Sequence, residues 1–358
     1  MTTSAYQDSK FNTGRGSIEP NLVDRLRREF LDLRDAMLSD DQFVYLSGIP
    51  RWFRGPATVW CLLRRLFLKL TPTRRLVLIV GVVLAAMKIS VGHESWDFTG
   101  VGILLMLFVL MLELKDKLLA TTELEDGHAI QRALLPNQSP HVPGWSPWLF
   151  TRSANEVGGD LIDFIPVAQG RFAVAVGDVA GKGLKAALLT AKLQATLRAL
   201  GPDTTSLPAL AARVNSIICR DGLPQMFSSL VYAELAPGGG TVRLINAGHL
   251  PPLIVRKSGI AQSVKGGPAL GLMPGAEFRE ETVELDPGDL ILFYSDGLVE
   301  ARNESGEFFG EDRLRAVLSS SSRLTSGRIG EELLAAVDRF RGEARAHDDL
   351  TLLVLKRN

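Results

Sequence analysis

Between Asn21 and Leu38, Leu22, Val23, Leu26, Phe30, Leu33 and Met37 recur at helical spacing, with Arg, Asp and Glu between them. A stripe of this period predicts an amphipathic helix that packs on a partner or on a membrane surface. The polar residues 1–20 ahead of it predict a disordered tail. Further on, Leu76–Met87, continued past Lys88 by Ile-Ser-Val-Gly, and Phe98–Leu112 are two apolar runs separated by the polar stretch His93-Glu94-Ser95-Trp96-Asp97. Each supports a helix of about 17 residues, the short end of a bilayer span. Arg64, Arg65, Lys69, Arg74 and Arg75 precede the first run, and Lys115 and Lys117 follow the second. The positive-inside bias puts both ends of such a hairpin in the cytoplasm. The pattern therefore predicts a two-helix transmembrane hairpin over 71–114, with a buried hairpin of a soluble domain as the alternative. Within the amphipathic region 21–70, Trp60, Leu62, Leu63, Leu66 and Leu68 among Arg and Lys predict an interfacial helix. Over 115–135, Leu118, Leu119, Leu124, Ile130 and Leu134 predict a connecting helix that relays a signal or makes a homodimer contact.

Past Pro136 the pattern changes. Short apolar runs alternate with turn signals, predicting strands at Trp148–Arg152, Arg171–Val176, Ser228–Leu235, Thr241–Ile245, Leu253–Arg256, Leu290–Tyr294 and Leu350–Leu355. Gly238-Gly239-Gly240 joins two of them as a hairpin, which argues for antiparallel pairing. Helices are predicted over Leu184–Leu200, Leu207–Cys219, Asp312–Ser319 and Glu331–Phe340. The first carries two adjacent apolar rows, one through Leu184, Ala187, Leu188 and Ala191, the other through Leu189, Leu193, Leu197 and Leu200. Many antiparallel strands with a few long helices indicate an α+β layered fold.

Composition narrows the chemistry. The 358 residues carry 40 Lys and Arg against 40 Asp and Glu, a formal net charge of zero. That weighs against a nucleic-acid partner and against a metal-dependent nuclease, which want a basic stripe. Cys61 and Cys219 stand far apart, without zinc-ligand spacing or a disulfide framework, and a reducing compartment is the simpler reading. The N-terminus lacks the pattern of a signal peptide. Any bound metal must then be held by oxygen. Asp160 follows Gly158-Gly159, Asp178 ends a strand before Val-Ala-Gly-Lys-Gly, Asp296 ends another before Gly297, and Asp348-Asp349 open the last strand. Taken singly, an Asp beside Gly is most often a turn residue. Four acidic points at strand ends, three beside glycine, fit an oxygen-ligand site for a hard divalent cation. The stretch Gly177–Gly183 fails the phosphate-loop pattern, with one spacing short and Gly183 where Ser or Thr would stand.

The motifs appear in a specific order. Glu156-Val157-Gly158-Gly159-Asp160 comes first, then Gly177-Asp178-Val179-Ala180-Gly181-Lys182-Gly183 with Ala186-Ala187-Leu188. Asn246-Ala247-Gly248-His249, Tyr294-Ser295-Asp296-Gly297-Leu298-Val299-Glu300-Ala301 and Asp348-Asp349-Leu350-Thr351 follow. This series, led in by Ile130–Pro136, resembles the signature of the SpoIIE/RsbU-type PP2C-like phosphatases over about residues 125–358. The resemblance implies an α-β-β-α sandwich of two antiparallel sheets flanked by helices, occupying 136–358. It implies two Mn²⁺ or Mg²⁺ ions, Asp178 bridging them, the Val179 carbonyl as a further ligand, Asp160 on one ion, and Asp296 and Asp348 on the other. A water shared by the ions would attack phosphoserine or phosphothreonine in line. Asp349 would support the ligands, and Lys182, Gly297 and His249 would serve the site or the substrate. Many eukaryotic-type members carry a His two residues after the bridging Asp. Here Ala180 stands there, as is usual in this branch, so the general acid is unassigned. His249 alone reads first as a structural residue.

The resulting expectation is a phosphoprotein phosphatase at the cell inner membrane, two-pass, with its N-terminus and catalytic domain cytoplasmic. By family analogy its substrate is an anti-sigma-factor antagonist. The alternative is a catalytically silent, membrane-anchored binding or sensor module of the same fold.

Overall fold

The computed structural model describes residues 46–91, 94–136, 140–154, 157–167, 170–221 and 225–358, and the single positions Phe30, Arg34, Met37, Leu38 and Gln42. The tail expected at 1–20, most of the helix expected over Asn21–Leu38, and His93 and Glu156 lie outside these residues. The chain divides into two compact units, Met1–Lys117 and Leu118–Asn358.

In the first unit, α1 (Arg51–Lys69) and α2 (Pro72–Ala86) are followed by a two-stranded hairpin of β1 (Lys88–Val91) and β2 (Glu94–Asp97), and α3 (Thr99–Leu134) continues into the second unit. The two-pass hairpin expected over 71–114 finds no support. Among the described residues no helix is long and apolar enough to cross a membrane. α2 ends at Ala86 after 15 residues, about 22 Å against a hydrocarbon core of ~30 Å. The rest of the first apolar run becomes β1 instead of helix. In α3, Glu113 and Asp116 follow the second run and pair with Arg74 of α2 at 2.6 and 2.7 Å.

The second unit is a sandwich. One sheet has the order β10-β7-β6-β5-β4 and the other β3-β12-β11-β8-β9, antiparallel throughout. The first contains β4 (Leu161–Pro166), β5 (Phe172–Val179), β6 (Ser228–Leu235), β7 (Thr241–Ala247) and β10 (Glu280–Glu284). The second contains β3 (Trp145–Arg152), β8 (Leu253–Arg256), β9 (Gly259–Gln262), β11 (Leu290–Tyr294) and β12 (Leu350–Arg357). Two helices, α4 (Leu184–Leu200) and α5 (Leu207–Asp221), cover the outer face of the first sheet. The second is covered by α6 (Asp296–Val299), α7 (Gly310–Ser321) and α8 (Ser326–Arg341). β5 shows how the layers are made. Val174 and Val176 point into the core between the sheets, with Ile162, Val231, Ile291 and Leu353, while Ala173 and Ala175 face the helices. Successive side chains on a strand point to opposite faces, and small alanines on the helix side let α4 and α5 lie close.

The expected hairpin at Gly238–Gly240 joins β6 to β7. Three strands escaped the pattern for physical reasons. β10 is an edge strand reading Glu-Glu-Thr-Val-Glu, in which only Val283 is buried. β9 is an edge of the other sheet with no buried position. β4 carries Asp163 in its middle, buried and held by Arg198 at 2.7 Å, which breaks apolar periodicity. In α4 the two apolar rows are not equivalent. Leu193 and Leu197 are fully buried, whereas Leu184 and Leu188 are exposed. The row of larger side chains takes the core because burial scales with apolar area. α8 begins five residues before Glu331, with Thr325 capping it by accepting the Arg328 N–H.

Candidate active site

Each sheet delivers acidic residues to one end of the sandwich. In the first, β4 and β5 pair with Leu161 opposite Gly177, so Asp160, one residue before β4, comes beside Asp178. A Cβ added at Gly159 would sit 2.8 Å from Asp178 Oδ1 and 3.1 Å from the Val179 carbonyl. Glycine leaves room for this loop to approach the carboxylate closely. In the second sheet, Tyr294 of β11 is opposite Leu352 of β12. That sets Asp296, at the start of α6, next to Asp348 and Asp349 at the start of β12. A Cβ at Gly297 would fall 1.9 Å from the Asp349 carbonyl oxygen, so the turn of α6 packs directly on that backbone.

Asp349 fastens the two sheets together. Its Oδ1 accepts the Ala154 N–H at 2.8 Å and its Oδ2 the Gly159 N–H at 2.7 Å, holding the β3–β4 loop that carries Asp160. Thr190 of α4 donates to the Gly159 carbonyl at 2.7 Å. Gln131 of α3 pairs with both the N–H and the carbonyl of Gly158, at 3.1 and 2.8 Å. Gln194 and Arg198 of α4 donate to the Leu134 carbonyl at 2.8 and 3.2 Å. The Asp160 loop is thus braced by β12, α4 and the end of α3.

The electrostatics record the convergence. Burial pushes Asp160 well above the ordinary carboxylate range, the charges of Asp178 and Asp349 add to this, and the hydroxyls of Thr351 and Ser295 oppose it. Burial, followed by the charges of Asp296, Asp348 and Asp349, raises Asp178 to about 7. Asp296 is raised by burial, Asp348 and Glu300, and lowered by Lys182. Carboxylates from both sheets therefore feel one another, as like charges sharing a site do. They do not close into a cage. Among the described residues no three His, Cys, Asp or Glu side chains are grouped tightly enough to hold an ion. Instead, the Lys182 ammonium sits 3.1 Å from Asp348 Oδ2 and 2.8 Å from the His347 carbonyl. The donor set still suits a hard divalent cation. Asp160 Oδ2 is buried with no hydrogen-bond partner, an acceptor of the kind a cation would satisfy.

His249 lies behind the carboxylates. Its Nε2 is 3.2 Å from the Tyr294 carbonyl and its Nδ1 2.8 Å from Ser229 Oγ. A carbonyl only accepts, so Nε2 carries the hydrogen and Nδ1 accepts from Ser229. Ser229 Oγ in turn accepts the Asp178 N–H at 3.2 Å. Burial holds the imidazole down to about 4, against the opposing effect of the Tyr294 carbonyl. It is a neutral strut between the sheets.

A cleft of about 550 Å³ opens over Asp178 and Asp296, lined further by Ala180, Phe227, Lys265 and Glu300. Lys265 and Glu300 were not picked out from sequence. Lys265 belongs to the loop after β9 and reaches the cleft because that loop is tied down, the Gly267 N–H donating to the Asn246 carbonyl at 2.8 Å. No local pattern marks it, whereas Glu300 lies inside a motif already noted.

A family model described as Stage II sporulation protein E (SpoIIE) matches residues 168–358, more than half of the chain. The chain belongs to the SpoIIE family. The matched range of this SpoIIE-family chain contains Asp178, Asp296 and Asp348, and Asp160 lies just ahead of it. Protein IcfG of Synechocystis is 28% identical over 267 residues, covering 66% of this chain and 42% of that protein. Phosphoserine phosphatase RsbU of Bacillus subtilis is 26% identical over 242 residues, covering 66% of this chain and 70% of that one. The chain thus spans less than half the length of the first of these relatives. Among solved structures, the SiaA-PP2C domain of Pseudomonas aeruginosa superposes with a TM-score of 0.60 at 21% identity, covering 69% of this chain and 99% of that domain. The SpoIIE-family chain therefore has the PP2C-like fold.

Proposed function

We propose that residues 136–358 are a metal-dependent phosphatase of phosphoserine and phosphothreonine in proteins, with residues 115–135 as a helix connecting it to the N-terminal region. The observation that carries this reading is the mutual approach of Asp178 with Asp296, Asp348 and Asp349, brought from two different sheets to one cleft. Membership of the SpoIIE family and a relative named as a phosphoserine phosphatase support it. Asp160, Asp178, Asp296, Asp348 and the Val179 carbonyl would hold two Mn²⁺ or Mg²⁺ ions. When bound, such a pair supplies a water acidic enough to act near neutral pH and neutralises charge on the phosphoryl oxygens.

The chain's own residues do the rest. Asp349 and Gln131 hold the loop bearing Asp160. Ser229, fixed by His249, holds the Asp178 backbone. Lys182 balances Asp348 and ties the turn before α4 to the turn before β12. Lys265, exposed in the cleft and without an ion pair among the described residues, would meet the phosphate dianion. With Ala180 in the cleft wall and His249 occupied at both nitrogens, the leaving serine or threonine oxygen takes its proton from water. The proposed substrate class is a small regulatory phosphoprotein of the anti-sigma-factor-antagonist type, acting in the cytoplasm.

The absence of a closed ligand cage among the described residues gives a second reading, a catalytically silent binding module. The deciding experiment is manganese-stimulated hydrolysis of p-nitrophenyl phosphate and of a candidate phosphoprotein. Hydrolysis that is lost in Asp178→Asn and Asp296→Asn supports the enzyme. No hydrolysis by the unmodified chain, with manganese or magnesium, leaves the silent module.

A further inference from the structure

The first unit has a charge distribution that the phosphatase reading does not use. Residues 42–93 contain no Asp or Glu and eight Arg or Lys. Arg54 donates to the Ile49 and Ser47 carbonyls at 2.8 and 2.7 Å, and Arg65 to the Met37 carbonyl. Among the described residues no carboxylate pairs with Arg54, Arg64, Arg65 or Lys69. Carbonyls satisfy the donors but leave the positive charge in place.

The same helix has two apolar sides with different fates. Leu62 is buried against Met37, Leu38 and Leu46, which fixes α1 to its own unit. Trp52, Val59, Trp60, Leu63 and Leu66 form a second stripe at helical spacing, turned away from that contact. Trp52 is 78% exposed, Trp60 69% and Leu63 55%. Two tryptophans and aliphatic residues on a helix with only basic charges match the composition of a helix lying in a bilayer interface. α2 and α3 carry apolar side chains of their own at Leu76, Val83, Leu104 and Leu107, all more than half exposed.

We infer that this face of the first unit binds a lipid surface bearing anionic headgroups, with α1 flat in the interface and no helix crossing the bilayer. A second copy is the less suitable occupant. A two-fold contact through this stripe would set one basic segment against its equal, and like charges in contact oppose association. An anionic headgroup layer neutralises the cations while the acyl boundary covers the tryptophans.

The test uses the full chain and vesicles of phosphatidylglycerol mixed with phosphatidylcholine, or of phosphatidylcholine alone. Partitioning into the anionic vesicles is expected to exceed that into neutral ones by at least about tenfold at low salt and to fall at high salt. The double variant Trp52→Glu/Trp60→Glu should lose about tenfold or more of that partitioning. Because a charged variant can disturb the unit itself, a second measurement uses brominated lipid. Its quenching of tryptophan fluorescence should be present in the native chain and largely lost in Trp52→Phe/Trp60→Phe. Equal partitioning into both vesicles, unaffected quenching in the Phe variant, or a dimer that the Glu variant dissociates without any vesicle binding would each overturn the inference. Hydrolysis of p-nitrophenyl phosphate, read in the same samples, is independent of these outcomes, so failure here and failure of the phosphatase reading are separable.

Discussion

Asp349 Oδ2 accepts the Gly159 backbone N–H at 2.7 Å, so a carboxylate at the start of the last strand, 190 residues away in sequence, holds the loop that positions Asp160. Its other oxygen holds Ala154 of the same loop. Replacing it with Ala strands two backbone donors. Bonds to a charged acceptor are worth ~1.5–3 kcal/mol each, and both loop amides would need new partners. Asp349→Ala should cost about 2–4 kcal/mol in urea unfolding, and it should weaken manganese activation by loosening Asp160. Asp349→Asn keeps one acceptor and should cost about half as much. Equal stability of the Ala variant and the native chain would rule out this clamp.

Asp178 titrates near 7 because burial and three neighbouring carboxylates disfavour its charge. Its folded-state pKa is raised above the unfolded value of 3.8. The stability it contributes is therefore fully present below that value and is lost as pH rises toward about 7. In metal-free protein, Asp178→Asn should accordingly be more stable than the native chain at pH above about 7, by roughly 1–2 kcal/mol, and the gain should vanish at low pH. Thermal melts across pH with a chelator present make the comparison. A destabilising effect of Asp178→Asn at high pH would contradict the crowded-carboxylate picture.

His249 should behave as a strut and not as an acid. Its folded-state pKa, held down to about 4 by burial, lies below the unfolded value of 6.5. Its contribution is present above 6.5 and is lost as pH falls from there toward 4. His249→Gln should remove that acid-side loss while lowering stability near neutrality by ~1–3 kcal/mol, since Ser229 and the Tyr294 carbonyl lose their partners. The pH–rate profile of phosphatase activity between about 6 and 9 should keep its shape. Disappearance of a basic limb in this variant would make His249 the proton donor after all.

Lys265 lines the same cleft as Asp178 and Asp296. Lys265→Ala should lower kcat/KM toward a phosphoprotein by about tenfold, the factor that corresponds to ~1.4 kcal/mol of a charge-assisted contact. Most of the loss should fall on KM, with Lys265→Arg partly restoring it and the melting temperature unchanged. Steady-state kinetics that do not move would place Lys265 outside the substrate's reach.

Much of this protein can be read without coordinates. Short continuous apolar runs such as Leu290–Tyr294 and period-3.6 rows such as Leu189, Leu193 and Leu197 depend only on neighbours along the chain, and they located the central strands and the main helices. The acidic residues beside glycine at strand ends could be singled out for the same reason, and their order along the chain pointed to the family. What local pattern could not carry were features whose cause lies elsewhere in the fold. Edge strand β10 is held by pairing to β7 and not by apolar content. Asp163 is tolerated inside β4 only because Arg198 reaches it from α4. Lys265 enters the cleft through a hydrogen bond made at Asn246. Hydropathy measured how apolar residues 76–112 are but not where the first helix stops, at Ala86 just ahead of β1. Above all, only antiparallel register and the packing of two sheets face to face brought Asp160 beside Asp178 and both toward Asp296 and Asp348. Proximity between distant segments is a property of tertiary pairing, and the spacing of residues along a chain does not contain it.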